Sequence, residues 1–504
     1  NIDGKKTFPI GIYEMPADDE ELKRMAAAGI NLVRCGNKAG LDRAQAAGVK
    51  GWVSLGVQQG ATDGLRKQIE SVDFEEISEL LSSARSKVAD GEDSPAAKSR
   101  RAVPVAQIVR LPHSDADRRQ WAEATARGRA MLAAGRVGVI LVAGGQGTRL
   151  GFPRPKGIFP IGPVSDKPMF QLLAEQLLAR SRQAGVTIPC YVMTSSATHD
   201  ETVKFYETHN YFGLDPDDVR FFQQGWMPAV DPDSGQLLMA DKGELATSPD
   251  GHGGMLGALA KAGLIEDMRR RGVDVLFYHQ VDNPLCRVCD PAFLGFHETF
   301  QSEATTKVVA KTGPEERMGV VVDVDGRTQI IEYSDLPEDV AAKCDADGNL
   351  LFWAGSTAIH IFNREFIERL TTGKIALPFH IAHKKVPYVA DDGTAVEPEE
   401  PNAYKFERFI FDALPLAERT LVIEAAREDE FNPLKNAEGV NSPDDVRQSL
   451  IALHRSWLRS AGHDVPPDAV VEISPLVAVD EHALAEAQLP AQNFDAPLYL
   501  QPGD

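Results

Sequence analysis

The sequence predicts an α/β protein built on a doubly wound, mostly parallel sheet. From Val137 onward, short apolar runs that suit buried strands alternate with longer segments whose apolar residues recur at helical spacing. The first of these runs leads directly into three glycines, Gly144, Gly145 and Gly147. Ligands of doubly wound sheets bind at the carboxyl ends of the strands, so we expect the functional site at that edge.

Each element follows from its local pattern. Strands are expected where apolar runs are short and bounded by turn residues, and helices where apolar residues recur every three or four positions. The predicted strands are 137–143, 189–194, 219–223, 273–280, 307–311, 319–324 and 329–333, the last three forming a mixed extension. The predicted helices are 168–184, 201–209, 254–263, 264–271 and 442–458.

The segments before residue 137 are predicted to form two further parts. Helical spacing at 73–87 and 115–134 predicts a small helical cap, and 89–104 is expected to be a linker with a solvated basic cluster at 98–101. Strand-like runs at 8–15, 31–35 and 51–55 alternate with helix-like stretches at 18–28 and 39–47. This β-α-β-α-β run resembles the opening of a glycoside-hydrolase (β/α)₈ barrel, but too few residues follow to close one.

We therefore expect four parts. They are a β-α-β-α-β appendage (1–72), a helical N-terminal cap and linker (73–135), the main α/β domain (136–436) and a small C-terminal domain (437–504). A glycosidase would need a complete barrel with paired carboxylates, which this sequence lacks.

Composition narrows the function classes. The 504 residues carry a formal net charge of −21, which argues against nonspecific nucleic-acid binding. No apolar stretch approaches the roughly 20 residues of a membrane span. Five cysteines are few for a disulfide-built protein, and no secretory leader is visible. These features predict a cytoplasmic protein with neither a nucleic-acid nor a membrane partner.

The segment 140–157, ILVAGGQGTRLGFPRPKG, predicts a polyphosphate-binding loop. Glycine lets the backbone approach a phosphate closely, and Arg149 and Lys156 can neutralise charge during phosphoryl or nucleotidyl transfer. A P-loop is excluded because Thr148 and Arg149 follow Gly147, and a dinucleotide fingerprint because Leu150 stands where its third glycine should be. The alternative is a tight turn with two solvated cations.

Two other motifs are given their ordinary interpretation. Cys286-x-x-Cys289 has no second pair, so we interpret it as two ordinary thiols. His380 and His383 have no third ligand nearby in the sequence, so a zinc site is weakly supported.

The same glycine-rich string, with 155–157, resembles the nucleotide-binding signature of the UDP-sugar pyrophosphorylases, and most closely the eukaryote-type UDP-N-acetylhexosamine (UDP-N-acetylglucosamine) pyrophosphorylases. The likeness covers roughly 73–504 and continues in the family's order through 221–225 (FFQQG), 248–254 (SPDGHGG), 281–283 (VDN), 331–334 (IEYS), 431–436 (FNPLKN) and 472–476 (EISPL). The resemblance implies a Rossmann-like nucleotidyltransferase fold with a small C-terminal β domain. It also implies UTP and a sugar 1-phosphate as substrates, with UDP-sugar and pyrophosphate as products.

The resemblance also implies roles for individual residues. The catalytic cations would be Arg149, Lys156 and Lys435, and the nucleotide would contact Leu141, Ala143, Gly144, Gly145, Gly147, Gln224, Gly251, His252 and Asp282. The sugar would contact His252, Gly319, Glu332, Ser356 and Lys435. Asp282 follows a predicted strand, beside the expected phosphates, so we expect it to bind Mg²⁺; a helix cap is the alternative.

The sequence departs from the hexosamine enzymes where the sugar is expected. His252 replaces the family's usual asparagine, and Trp353 and Ser356 replace two more amides. The expected activity is a uridylyltransferase that forms UDP-N-acetylglucosamine or another UDP-N-acetylhexosamine. The alternatives are a UTP–glucose-1-phosphate uridylyltransferase, a broad-specificity UDP-sugar pyrophosphorylase, or a non-catalytic nucleotide-sugar-binding protein.

Overall fold

The computed structural model describes residues 11–12, 15–28, 30, 32–35, 38–53, 59–86, 95–373, 377–390 and 392–503. It divides into two compact units, and both draw on separate stretches of the chain, whereas the four parts expected from the sequence are contiguous. The first unit comprises Asn1–Phe74, Pro228–Thr247 and His383–Ala403. The second comprises Glu75–Met227, Ser248–Ala382 and Tyr404–Asp504.

The first unit contains a three-stranded parallel sheet. Its strands are β1 (Gly11–Ile12), β2 (Leu32–Cys35) and β3 (Lys50–Val53), in that order, and the helices Asp19–Ala27 and Lys38–Ala46 connect them. A small core of five buried side chains holds these elements together: Leu22, Val33, Cys35, Ala44 and Val49.

The helix Gln59–Ser71 of this unit contacts the hairpin strand Glu244–Leu245, where the side-chain oxygen of Gln68 accepts a hydrogen bond from the backbone of Leu245 at 3.0 Å. A protein that begins near Asp73 loses this contact, but it retains every residue that the sequence assigns to the site. We therefore expect the truncated protein to keep the turnover of the full chain and to unfold at a lower temperature. Kinetic assays and thermal unfolding of both proteins measure this. A folded truncated protein with impaired turnover would show that residues 1–72 take part in function.

The second unit is built on a large mixed sheet. Its strands are β4 (Val103–Pro104), β5 (Ile108–Val109), β6 (Val137–Val142), β7 (Cys190–Thr194), β8 (Val219–Gln223), β9 (Val275–Gln280), β10 (Ala304–Ala310), β11 (Val320–Val324), β12 (Arg327–Ile331), β13 (Ala354–Asn363) and β14 (Thr420–Glu424). The order across the sheet is β8-β7-β6-β9-β13-β10-β14-β5, and β11 pairs with β4, β12 and β13. The predicted α/β class is confirmed.

In the row of strands from β8 to β5, β13 runs opposite to the others. Beside that row, β11 also pairs antiparallel with β4, β12 and β13. β8, β7, β6 and β9 are parallel, and β10, β14 and β5 are parallel, but β13 runs antiparallel to both of its neighbours, β9 and β10. The carboxyl end of β9 therefore lies beside the beginning of β13. The sequence analysis missed β13 and β14.

Helices cover both faces of the sheet. In β6 and β9, alternate residues enter two different apolar clusters, as is typical of a sheet buried on both sides. The remaining α-helices of the described chain are Phe74–Ser86, Pro95–Arg101, Asp115–Ala133, Met169–Ala184, His199–Thr208, Met255–Lys261, Leu264–Arg271, Pro291–Thr299, Glu338–Ala341, Arg364–Thr372, Arg427–Glu430, Pro443–Ser460 and Glu481–Glu486.

Shorter elements connect these. The strands outside the main sheet are Gln146–Gly147, Phe152–Pro155, Trp226–Pro228, Met239–Asp241, Glu244–Leu245, Thr247–Pro249, Phe379–Lys384, Tyr388–Val389, Ala395–Val396, Ala403–Arg408, Val471–Ile473 and Leu498–Leu500. Among the described residues, no helix has both the length and the apolar content that crossing a bilayer requires.

The segments before and after the sheet differ from expectation. The expected linker contains a helix, Pro95–Arg101, in which Arg100 and Arg101 form ion pairs with Asp339 and Asp325, so the basic cluster is not a solvated loop. The helix Asp115–Ala133 packs across Pro291–Thr299. Its Gly128 allows this, because a Cβ there would lie 1.8 Å from the carbonyl oxygen of Pro291.

The C-terminal segment belongs to the same compact unit as the main sheet. It contains the helix Pro443–Ser460 and a two-stranded parallel sheet. Glu472, which is 1% exposed, accepts hydrogen bonds from the backbone N–H groups of Val164 and Ser165, both at 2.7 Å. A buried carboxylate thus anchors this segment to the loop after the glycine-rich string.

Candidate active site

The glycine-rich loop leaves the sheet immediately after β6. The backbone N–H of Ala143 still donates to Met193 of β7 at 2.7 Å, and the carbonyl of Gly144 accepts from the Ser195 hydroxyl at 2.8 Å. A Cβ at Gly145 would meet nothing within 4 Å, which leaves room for a ligand. At Gly147 the chain itself leaves no room for a side chain, because a Cβ there would lie 2.6 Å from the carbonyl oxygen of Phe152.

Gln224 lies against this loop. Its backbone N–H donates to Thr194 at the end of β7, at 2.9 Å, and its side-chain oxygen lies 3.1 Å from where a Cβ of Gly144 would stand. Two predicted nucleotide contacts are therefore neighbours. The other apolar contacts predicted here, Leu141 and Ala143, have buried side chains, so only their backbone atoms can face a ligand.

Lys156 and Asp282 meet at the edge where β6 and β9 end. The backbone N–H of Lys156 donates to Gly145 at 3.0 Å, and its Nζ lies 3.7 Å from Oδ2 of Asp282. Asp282 is placed by its neighbour Val281, whose N–H donates to Val142 at 3.0 Å. Both charged side chains are largely buried, 19% and 15% exposed, so their charges are poorly screened by water.

Lys435 reaches the same edge through the chain segment that precedes it. The N–H of Leu434 donates to the backbone oxygen of Asp282 at 2.7 Å, and the carbonyl of Leu434 accepts from Nζ of Lys156 at 3.4 Å. Lys435 itself is exposed. The structure thus places the chain segment that carries Lys435 beside Lys156 and Asp282, although the three residues are far apart in the sequence.

Arg149 differs from the other predicted cations. It lies in the short 3₁₀ helix Thr148–Leu150, with an exposed side chain. Within the part of the chain that the structure describes, this guanidinium makes neither a hydrogen bond nor an ion pair. Its charge is therefore available to an anionic ligand, and the structure gives it no fixed position.

Gly319, Glu332 and Ser356 form a second group where β13 begins. The N–H of Ser356 donates to Gly319 at 2.8 Å, and a Cβ at Gly319 would lie 3.2 Å from Oε1 of Glu332. Burial and the nearby Asp335 raise the pKa of Glu332. The positive charge of Lys435 opposes this rise.

His252 is held as a neutral ring with a defined tautomer. The N–H of Ile410 donates to its Nδ1 at 3.1 Å, so in the neutral ring Nε2 carries the proton. The ring stacks on Phe409, with centroids 5.2 Å apart and planes at 22°. Burial, together with the nearby positive charge of Lys435 and the His380 ring, lowers the pKa of His252 to about 4. His252 therefore offers one N–H donor at neutral pH.

The family model described as UTP–glucose-1-phosphate uridylyltransferase matches residues 92–492. The chain belongs to the UTP–glucose-1-phosphate uridylyltransferase family. The human UDP-N-acetylhexosamine pyrophosphorylase-like protein 1 is 40% identical to it over 428 residues, covering 79% of this chain and 83% of the human protein. The Saccharomyces cerevisiae UDP-N-acetylglucosamine pyrophosphorylase is 39% identical over 350 residues, covering 68% of this chain and 73% of the yeast protein.

A solved structure agrees with these relatives. The Trypanosoma brucei uridine diphosphate N-acetylglucosamine pyrophosphorylase, crystallised with an inhibitor, superposes with a TM-score of 0.73 at 25% identity and covers 94% of this chain and 95% of its own. The predicted resemblance to the hexosamine branch of the uridylyltransferase family is therefore confirmed.

In this uridylyltransferase family member, Trp353, which stands where the hexosamine enzymes have an amide, contacts an arginine. Its ring lies under the guanidinium of Arg110, 4.2 Å from the ring centroid, and Arg110 pairs with Glu424 at 2.6 Å. Cys286 and Cys289 are both buried and free, and burial raises the pKa of each thiol. Nε2 of His380 donates to Oδ2 of Asp412 at 2.8 Å, and His383 is not part of this pair.

Sequence reasoning missed Asp250, which is 8% exposed and lies against Gly225 and Gly254. Cβ atoms at Gly225 and Gly254 would lie 2.4 and 2.1 Å from its carboxylate oxygens. Burial raises the pKa of Asp250 to about 6. In the sequence, an acidic residue between Pro249 and Gly251 is typical of a turn, and this pattern does not distinguish a buried carboxylate from a turn residue.

We expect Gly254→Ala to destabilise the protein by about 1–3 kcal/mol, because the added methyl would overlap the Asp250 carboxylate. Denaturant unfolding measures this. Gly257→Ala is the matched control: it lies in the adjacent helix Met255–Lys261, a Cβ there meets nothing within 4 Å, and alanine favours helix. Equal stability of the two variants would contradict the expected overlap.

Proposed function

We propose that this protein transfers a uridylyl group from UTP to N-acetylglucosamine 1-phosphate or another N-acetylhexosamine 1-phosphate. The observation that carries the proposal is the meeting of Lys156, Asp282 and the segment of Lys435 beside the open glycine loop. The names of the human and yeast relatives support the choice of sugar.

The chemistry is an in-line displacement. An oxygen of the sugar phosphate attacks the α-phosphorus of UTP, the bond to the β-phosphate oxygen breaks, and pyrophosphate leaves with that electron pair. No covalent enzyme intermediate is needed, so catalysis consists of positioning and charge stabilisation.

Each cation has a place in this scheme. The N–H groups around Gly144 and Gly145 would hold the β- and γ-phosphates, and Arg149 would neutralise the leaving pyrophosphate. Lys156 would bind the α-phosphate, because its partly buried Nζ is fixed by Asp282 and Leu434. Lys435 would hold the attacking sugar phosphate.

Asp282 would bind Mg²⁺ together with the phosphates. Within the described residues, no group of three His, Cys, Asp or Glu side chains is arranged to hold a metal, and a single carboxylate that shares the ion with phosphates and water fits the way proteins bind Mg²⁺. When bound, the ion would neutralise phosphate charge. Lys156 keeps the Asp282 carboxylate turned toward the same edge.

The assay that tests the proposal measures pyrophosphate release from UTP and Mg²⁺ with the 1-phosphates of N-acetylglucosamine, N-acetylgalactosamine and glucose. We expect the highest kcat/KM with N-acetylglucosamine 1-phosphate and loss of activity with EDTA. UTP binding without pyrophosphate release from any sugar would overturn the proposal in favour of a non-catalytic binding protein.

A glucose-specific enzyme is the second candidate, and one observation favours it. His252 supplies only an N–H donor toward the ligand and Ser356 only a short hydroxyl, where the hexosamine branch has amides. The sugar panel separates the two candidates, because a glucose enzyme would reverse the order of kcat/KM.

We expect His252→Ala to lower kcat/KM about tenfold, the loss of roughly one hydrogen bond, and by the same factor at pH 5.5 and pH 7.5. The pKa of about 4 lies well below the ordinary value of 6.5, so the ring is neutral and presents the same donor at both pH values. Kinetics at the two pH values measure this. Losses that differ clearly between the two pH values would contradict a ring that stays neutral over this range.

A further inference from the structure

Asn283, the residue after Asp282, attaches its own chain segment to the segment that carries Lys435. Its side chain is 4% exposed. Its Nδ2 donates to the carbonyl of Glu430 at 2.8 Å, and its Oδ1 accepts from the N–H of Asn432 at 3.2 Å. The N–H of Leu434 donates to the backbone oxygen of Asp282. Asp282 and Asn283 together therefore make three hydrogen bonds to residues 430–434.

The chain that follows Lys435 is held by hydrogen bonds of two further asparagines, Asn432 and Asn441. The N–H of Lys435 donates to the carbonyl of Asn441 at 2.8 Å, and Nδ2 of Asn441 donates to Oδ1 of Asn432 at 2.8 Å. Asn432 also donates to Oδ2 of Asp445 at 3.1 Å. Hydrogen bonds therefore run from Asn283 through Asn432 and Asn441 back to Lys435.

This network rests on a buried ion cluster. Lys307 of β10, 1% exposed, pairs with Glu430 at 2.5 Å and with Asp290 at 2.8 Å. The start of the Lys435 segment is thereby fixed to the central sheet, because separating these buried charges is costly. Asn283 joins this fixed point to the edge of the sheet where Asp282 lies.

We propose that Asn283 is a positioning residue that sets the spacing between Asp282 and Lys435. The proposal deepens the proposed function and rests on it. The amide is required because the two contacts need a donor and an acceptor on one short side chain. Aspartate would turn an acceptor toward the Glu430 carbonyl, and alanine would leave two buried backbone groups unpaired.

The test compares Asn283→Asp and Asn283→Ala with Lys435→Ala and with the double variant Asn283→Ala/Lys435→Ala. We expect each Asn283 variant to lower kcat/KM for the sugar 1-phosphate on the order of 10–100-fold, with the KM for UTP changed less than about threefold. In the double variant, Asn283→Ala should cost less than about threefold beyond Lys435→Ala, because residues that act as one unit are not additive.

A binding measurement adds a readout that does not depend on turnover. Calorimetry with N-acetylglucosamine 1-phosphate alone should show weaker binding to both Asn283 variants. Asn436→Ala is the control: the exposed side-chain amide of Asn436 donates to the carbonyl of Val440 at 2.8 Å and not to Asn283, Asn432 or Asn441. The variant keeps the backbone N–H that donates to Asn441 at 3.1 Å, so we expect unchanged kinetics.

The proposal is overturned if the losses from Asn283→Ala and Lys435→Ala multiply, or if Asn283→Asp lowers only the thermal midpoint while the kinetic constants of the folded protein are unchanged. Failure of the proposed function is observed separately. It would appear as no pyrophosphate release by the unaltered protein, before any variant is compared.

Discussion

Lys435→Ala should lower kcat by about two to four orders of magnitude with UTP and the preferred sugar 1-phosphate. The amine is exposed, yet its backbone is held by Asn441 and by the Leu434–Asp282 hydrogen bond, so the charge is delivered to a defined place. Its positive charge adds to the effect of burial in lowering the pKa of His252 and opposes the rise in the pKa of Glu332, two residues proposed to contact the sugar. Steady-state kinetics under saturating UTP measure the loss.

Lys261→Ala is the control for that variant, since Lys261 is an exposed lysine at the end of the helix Met255–Lys261, and its loss should leave kcat unchanged. Turnover of Lys435→Ala close to that of the unaltered protein would exclude Lys435 from the chemistry. Lys435→Arg should retain part of the activity, because it keeps the positive charge but replaces a compact ammonium with a planar guanidinium.

Arg149→Ala is expected to lower kcat by a similar two to four orders of magnitude, on the order of 3–5 kcal/mol of transition-state stabilisation. The reason is the charge that develops on the departing pyrophosphate, which a guanidinium can contact with several donors at once. Because Arg149 has no intramolecular partner within the described chain, its removal should leave stability unchanged. Kinetics and thermal unfolding of the same preparation separate the two effects.

Arg154→Ala is the matched control for Arg149. Arg154 lies on the adjoining strand Phe152–Pro155, is 49% exposed and pairs with Glu201 at 2.6 Å. Exposed ion pairs contribute little, so this variant should keep both activity and stability. An Arg149→Ala protein as active as Arg154→Ala would assign Arg149 to the solvated turn.

Sequence patterns predicted the parallel half of the sheet well, because its strands are short apolar runs followed by turn residues. The run at 137–143 is observed as β6, and 219–223 as β8. β13 was missed because Gly355, Ser356 and His360 interrupt its apolar residues. The strand is stabilised by pairing with β9 on one side and β10 on the other. Its place in the sheet is a long-range property that no local pattern contains.

Site residues could be predicted where a local sequence motif indicates their chemistry. They could not be predicted where their role depends on contacts with residues distant in the sequence. Gly145, Lys156 and Asp282 carry local signals, namely a glycine loop, a cation after it and an acid after a strand. Asn283, Asp250 and the Trp353–Arg110 contact carry none, because their importance depends on partners far away in the sequence. The family resemblance supplied Lys435, which composition and spacing do not single out.

The reversed strand β13 separates two tasks that the proposed reaction must perform. The proposed base and triphosphate contacts lie in loops after the parallel strands β6 to β9, whereas Gly319, Glu332 and Ser356, the proposed sugar contacts, lie near the start of β13. Replacements in the second set leave the loops of the first set in place. A family with this architecture can change the sugar it accepts while it conserves uridylyl transfer, and His252 and Ser356 lie where such divergence would begin.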